Sequence, residues 1–392
     1  MLNSPVNKID NIPKLAIGTM TTILIDLKLS FGLARKPNQW HRLCSDENLR
    51  KKGRSMIIAQ VSPLYESVPP KLYGGTERMV AYLTDELVSM GHDVTLFATG
   101  NSSTQGKLEF ISETAYAEDD SIDSKVWECL HISNLMEQAK DFDLIHNNYD
   151  FLPLSYSRLI KTPMVTTIHG FSSPQIIPVY KKYNADNYYV SISNADRSPE
   201  LEYIATVYNG IDPSGFTFNA NPKDYLLFFG RIHPEKGTYE AIQIAKQTKR
   251  KLIISGLIQD AEYFKNVVKP HINNEDIVYV GNSGAKERNK LLGEACVLLH
   301  PISFNEPFGL SVVEAMLCGT PVIAFNKGSM SELIQHKKTG FLVETLEDAV
   351  VAVDSIDSIN RWQCNRWAKV NFTQDQMVDG YLDVYSNILN RR

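Results

Sequence analysis

Apolar positions along this chain fall into two successive blocks, each alternating short buried runs with segments of helical spacing. Met56-Ile57-Ile58-Ala59-Gln60-Val61 reads as a strand buried on both faces. Next, Met79, Val80, Leu83, Leu87 and Met90 recur at helical spacing, Gly91 supplies a stop, and 94–98 reads as a second strand. A strand, helix, strand order of this kind requires a parallel crossover. The rhythm continues through strand candidates at 144–146, 164–169, 188–192 and 205–208, and then breaks between Asn209 and Lys223 in turn-forming and polar residues. A second block follows, with strands expected at 225–229, 252–254, 277–280, 297–300 and 322–325 and helices at 238–247 and 286–295. From Thr373 onward, Met377, Tyr381, Val384 and Ile388 form the stripe of a last amphipathic helix, which must cover an apolar surface.

Two alternating blocks predict an α/β protein with two Rossmann-like, doubly wound parallel sheets, whose sites lie at the carboxyl ends of the strands. The expected organisation is a basic extension at 1–54, a first domain at 55–215, a second at 222–370 and a C-terminal helix at 371–392 that packs back on the first domain. A length of 392 residues suits two such cores. The extension carries seven Lys or Arg between Arg35 and Arg54 against Asp46 and Glu47, which reads as a mobile basic arm or as a contact for a membrane surface or acidic partner. The chain as a whole has a net charge of −5, which argues against nucleic acid as its main partner. Five scattered cysteines, with no C-x-x-C pair, fit a reducing, cytoplasmic setting, and the inner face of a membrane remains open to peripheral contact. No transmembrane span is expected, because Asp26 and Lys28 interrupt 15–33, the longest apolar approach.

The most informative stretch runs from His300 to Pro321. It leaves a buried strand, forms a loop with Glu306, and starts a helix near Gly309 that stops at Gly319 and Pro321. Free N–H groups and the dipole at such a helix start make a natural diphosphate site. Glu306 and Glu314 are suited to accept hydrogen bonds from hydroxyls on either side of it. Two plainer readings stand beside this one: Ser311-x-x-Glu314 also spells a capping box, and Glu306 can be a solvated loop acid. In 228–237, Arg231 and Lys236 follow a strand end in a loop that opens a helix, where two fixed cations can neutralise a leaving diphosphate or simply sit in solvent. Gly74 and Gly75 begin the first helix. His146 and His169 each follow an apolar run at the mouth of the first sheet, where a histidine is most often a structural hydrogen-bonder.

Together, these stretches resemble the signature of the retaining family-four glycosyltransferases of GT-B fold, glycosyl transferases group 1. The hallmark is two glutamates separated by seven residues, here Glu306 and Glu314 around Phe308-Gly309-Leu310, together with a Gly-Arg…Lys-Gly element at Gly230-Arg231 and Lys236-Gly237. The resemblance implies two domains facing across a cleft. It implies catalytic positions at Arg231, Lys236, Glu306 and His169, with Glu306 contacting the transferred sugar. It further implies substrate-binding positions at Gly74, Gly75, Phe308, Gly309, Leu310, Ser311 and Glu314, with Glu314 on the nucleotide ribose. The activity implied is transfer of a hexose from a nucleoside diphosphate sugar to a hydroxyl acceptor (glycan, lipid or small molecule) with retained configuration. No cofactor or metal is implied, and no Asp-x-Asp element stands at a strand-to-loop position.

Two other classes compete. A catalytically silent nucleotide-sugar-binding scaffold would share the fold but has no reason to keep all four of Arg231, Lys236, Glu306 and Glu314. A nicotinamide-dependent dehydrogenase would need G-x-G-x-x-G directly after a strand, which neither block supplies.

Overall fold

Strand Ile57–Val61 (β1) is buried at every position but its first, as a continuous apolar run in a covered parallel sheet should be. The structure, a computed structural model, describes residues 55–391 apart from 72, 73, 120 and 172, so the expected basic extension lies outside the described residues. Helix Gly75–Ser89 (α1) returns the chain to Asp93–Phe97 (β2), parallel to β1, and Lys107–Glu109 (β3) adds an edge. Helix Ser124–Gln138 (α2) then carries the chain back past β1 to Leu144–Asn147 (β4). Beyond it lie Met164–Ile168 (β5), helix Ile177–Tyr183 (α3), Tyr188–Ser191 (β6) and Tyr203–Thr206 (β7). The order is β3-β2-β1-β4-β5-β6-β7, with a change of direction between β1 and β4.

The second sheet repeats this plan. Leu226–Phe229 (β8), helix Thr238–Thr248 (α4), Leu252–Ser255 (β9) and Ile277–Tyr279 (β10) build outward one way. Helix Ala285–Glu294 (α5) leads back to Val297–His300 (β11), followed by Leu310–Leu317 (α6), Val322–Phe325 (β12), the short Met330–Leu333 (α7) and Gly340–Val343 (β13). The order is β10-β9-β8-β11-β12-β13, and the direction changes between β8 and β11. Helices Leu346–Asp354 (α8) and Arg361–Asn371 (α9) follow, and Gln374–Leu389 (α10) ends the described chain.

A capping box of Thr373 and Gln376 starts α10, and its Met377, Tyr381, Tyr385 and Ile388 pack on Met79, Leu83 and Leu87 of α1. Each such side chain contributes about 1.5–3 kcal/mol by leaving water, so the last helix is part of the first lobe's core. To reach it the chain crosses from the second lobe beside its earlier crossing. Ile211 N donates to Phe372 O at 2.9 Å, and Gln374 N donates to Ile211 O at 3.1 Å.

Two details differ from the sequence reading. The strand expected at 205–208 lies at Tyr203–Thr206, because Val207 and Tyr208 owe their apolar character to other neighbours: Val207 joins the α10 cluster and Tyr208 packs on Phe308 and Phe372. Strands β3 and β13 were not foreseen. The first is three residues with charged ends, and the second is a four-residue run too short to read by periodicity.

Candidate active site

Both changes of direction open into one cavity of about 610 Å³, reached by the loops after β1, β4, β8 and β11. This is where ligands bind in doubly wound sheets. After β8 the chain makes a tight turn, Pro234–Lys236, closed by Gly237 at φ 76°. A Cβ at Gly237 would lie 1.9 Å from the Pro301 carbonyl oxygen, so only glycine lets this turn press against the loop leaving β11. Lys236 is thereby delivered to that loop: its ammonium pairs with Glu306 and sits 4.7 Å from the centre of the Phe304 ring. His300 Nε2 lies 3.6 Å from the same carboxylate. Burial works to raise the Glu306 pKa, but His300 and Lys236 outweigh it and bring it down to about 2. Arg231 donates through Nη1 to Gln259 Oε1 at 2.5 Å, which orients its guanidinium at the cavity wall.

Helix α6 begins beside these groups. Gly309 precedes it at φ 103°, and a Cβ there would meet the Met330 methyl at 2.8 Å. No acid occupies the first turn, so the positive end of α6 is left to a ligand. Ser311 lies inside the helix rather than at its cap, and the capping box that Ser311 and Glu314 could have spelled does not form. The Glu314 carboxylate instead lies 3.3 Å from Arg78 Nη1 of α1 and 3.3 Å from Arg288 Nη1 of α5. Burial raises its pKa against the pull of both guanidiniums.

Across the cavity, Gly74 and Gly75 start α1, and a Cβ on Gly75 would lie 3.5 Å from Leu310 Cδ1 of α6. His169, at the end of β5, bonds through Nε2 to Asn148 Oδ1 at 3.0 Å, and burial pushes its pKa down to about 4. Asn148 Nδ2 donates to Gln60 Oε1, and Gln60 Nε2 donates to the Tyr385 hydroxyl of α10. With those amide orientations Asn148 Oδ1 is the acceptor, so His169 carries its proton on Nε2 and leaves Nδ1 as an acceptor. His146 stands elsewhere. It is fully buried between Tyr385 and Thr167, 2.7 Å from each, with its pKa pushed down to about 3 by burial. It belongs to the packing of α10 on the sheet, the structural role such a histidine most often has, and does not line the cavity.

Apart from His146, the site positions singled out in the sequence line this one cavity: Arg231, Lys236, Glu306, His169, Gly74, Gly75, Phe308, Gly309, Leu310, Ser311 and Glu314. Among the described residues no group of three His, Cys, Asp or Glu side chains could hold a metal ion. No described helix is long and apolar enough to cross a membrane.

Two family models match in tandem, Glycosyltransferase Family 4 over residues 73–214 and Glycosyl transferases group 1 over 216–369. The chain belongs to this glycosyltransferase family. An uncharacterized 41.2 kDa protein in the cps region of Klebsiella pneumoniae is 32% identical over 221 residues, 52% of this chain and 60% of that protein. The sucrose-phosphate synthase of Thermosynechococcus elongatus shares the fold at a TM-score of 0.71 and 18% identity, over 86% of this chain and all (100%) of that one. HepE of Anabaena, solved in complex with UDP-glucose, superposes at a TM-score of 0.64 and 18% identity, over 85% of this chain and 100% of its own. The fold is thus GT-B.

Several groups in this glycosyltransferase were not visible to sequence reasoning. Arg78 directly follows the Gly74–Glu77 stretch, yet only the fold brings it to Glu314. Arg288 likewise arrives by topology with no motif of its own, and His300, which opens the informative stretch, was given no role there although it stands beside Glu306. Glu332 of α7 clasps the other lobe, accepting from the Asn194 amide at 2.9 Å, the Ala195 amide at 2.8 Å and the Tyr208 hydroxyl at 2.8 Å.

Proposed function

We propose that this protein transfers a hexose from a nucleoside diphosphate sugar to a hydroxyl acceptor, retaining the anomeric configuration and needing no metal. The observation that carries this reading is the convergence of Arg231, Lys236 and the open start of α6 on one cavity, with Glu306 and Glu314 flanking them. Two cations and a helix dipole supply the charge that stabilises a departing diphosphate. Glu306, ionised across the physiological range, accepts hydrogen bonds from the sugar hydroxyls, and Glu314 accepts from the ribose. His169 Nδ1 takes a further sugar hydroxyl. HepE, of the same fold, was solved with UDP-glucose, which supports a donor of this type. In the transfer, the bond from the anomeric carbon to the leaving phosphate breaks as the acceptor oxygen adds on the same face. The phosphate oxygen receives the acceptor's proton, so no separate protein base is required.

The test begins with a panel of UDP, GDP, ADP and dTDP sugars. The true donor should raise the melting temperature, since ligand at a hundredfold over its Kd adds about 2.7 kcal/mol of stability. Transfer is then assayed with and without chelator. Arg231→Ala should lower kcat by about 10²–10³-fold, the scale of a lost oxyanion donor. Unchanged kinetics in that variant would refute the role given to Arg231.

A further inference from the structure

The reading above rests on the donor side of the cavity and leaves the acceptor's chemistry open. We infer, given that reading, that the acceptor is an uncharged saccharide bearing no phosphate, stacked on Tyr65 with its hydroxyls shared between Glu77 and Asp150 at the first lobe's wall of the cavity.

Charge excludes the phosphorylated alternatives. Among the described residues that line this wall, the one Lys or Arg is Arg78, and its guanidinium is turned across the cleft to Glu314. His169, its pKa lowered by burial, is neutral at pH 7. Against these stand two acids, Glu77 and Asp150. Helix α1 does start at this wall and would offer an anion the same welcome as α6, but Glu77 fills its first turn, and its carboxyl takes a hydrogen bond from its own amide. Glu66 lies close enough to push on Glu77 as well. A phosphate brought here would meet like charge at a place where the helix dipole is already satisfied.

The same groups suit hydroxyls. Glu77 is 6% exposed and faces the cavity with no Lys, Arg or His partner among the described residues, so its oxygens have acceptor capacity left. Burial holds its pKa near 7, as a carboxyl awaiting hydrogen bonds rather than a counter-ion. Asp150 is held at φ 112°, a strained conformation for a residue with a Cβ. Asn147 Nδ2 fixes its carbonyl at 2.8 Å, and the Tyr180 hydroxyl donates to its carboxylate. Strain of this kind, tied down from two sides, sets one carboxylate at the cavity wall. Tyr65, which lines the same cavity, is 57% exposed and leaves a large aromatic face open. The electron-rich face of such a ring accepts the polarised C–H edge of a pyranose, while the acids take its hydroxyls.

The test uses the full chain with whichever nucleotide sugar of the panel stabilises it. Glucose, galactose, mannose and N-acetylglucosamine are offered each as free sugar, methyl glycoside and 6-phosphate. The inference expects at least one neutral sugar to accept, with its 6-phosphate at least tenfold poorer in kcat/KM. Tyr65→Ala and Glu77→Gln should each raise the acceptor KM about tenfold, with the donor-induced melting shift retained, and Tyr65→Phe should restore the lower KM. A 6-phosphate preferred over its parent sugar overturns the inference, and so does a bound donor with no transfer to any neutral sugar. Tyr65→Ala with an unaltered acceptor KM counts equally against it. If no nucleotide sugar stabilises the protein, the glycosyltransferase reading itself has failed, which is a separate result.

Discussion

Helices α1 and α6 both begin at the cavity, one from each lobe, and their starts are built alike. Gly74 precedes α1 and Gly309 precedes α6, both at positive φ. Their electrostatics are opposite. The first turn of α6 carries no acid, whereas that of α1 carries Glu77. A helix start is therefore only the potential for an anion site, and one side chain in the first turn decides whether that potential is kept or spent. Glycine-rich turns alone would have assigned phosphate to both walls.

The contrast can be attacked from the donor side first. Lys236→Ala removes a cation and leaves Glu306 buried without it, so kcat should fall by about 10²–10³-fold with a loss of stability of about 3–5 kcal/mol. Steady-state kinetics and urea unfolding read the two effects separately. A milder attack gives α6 what α1 already has. Ser311→Asp places an acid in its first turn and should weaken donor binding by roughly tenfold, about 1.4 kcal/mol, in a titration followed by melting temperature. Donor affinity unchanged by that substitution would break the comparison.

Protonation separates the two walls further. Glu306 has a folded pKa of about 2 against 4.5 for the ordinary carboxyl, so the stability it contributes is present above pH 4.5 and is lost as pH falls from there toward 2. Glu77, raised to about 7, has the opposite sign: it costs stability when ionised, and that cost is relieved as pH falls from 7 toward 4.5. Urea unfolding of Glu77→Gln should show less gain over pH 7 to 4.5 than the parent, and Glu306→Gln less loss below 4.5. The smallest expected effect lies far from both helix starts. Tyr381→Phe deprives the buried Thr167 hydroxyl of one of its two partners, at 2.8 Å, leaving His146, and should cost about 1 kcal/mol in urea unfolding, with catalysis little altered.

Much of this arrangement could be read from sequence because parallel strands covered on both faces leave unbroken apolar runs, and the residues just after such runs are the ones the sheet delivers to its crevice. Arg231, Lys236, Glu306 and His169 all follow that rule. His146 looked equivalent to His169, but it lies inside β4 rather than past a strand's end, and its side chain meets α10. Glu314 could be placed by its spacing, yet not its partners, since Arg78 and Arg288 come from helices whose approach is set by the whole fold. The capping-box reading failed for a local reason: the left-handed backbone at Gly309 starts α6 two residues before Ser311, so the hydroxyl arrives too late to cap anything.

The described polypeptide passes between lobes twice, and the two passages are stitched together where Ile211 meets Thr373. Bodies joined at neighbouring pins can swing open like the boards of a book, but they cannot slide or roll past one another. Each time the boards meet, Gly75 should find Leu310 again in the same alignment, so the reacting groups need no search to re-register. Nicking either strap with a protease would leave the pages bound but the spine loose, and turnover would drop before the protein came apart.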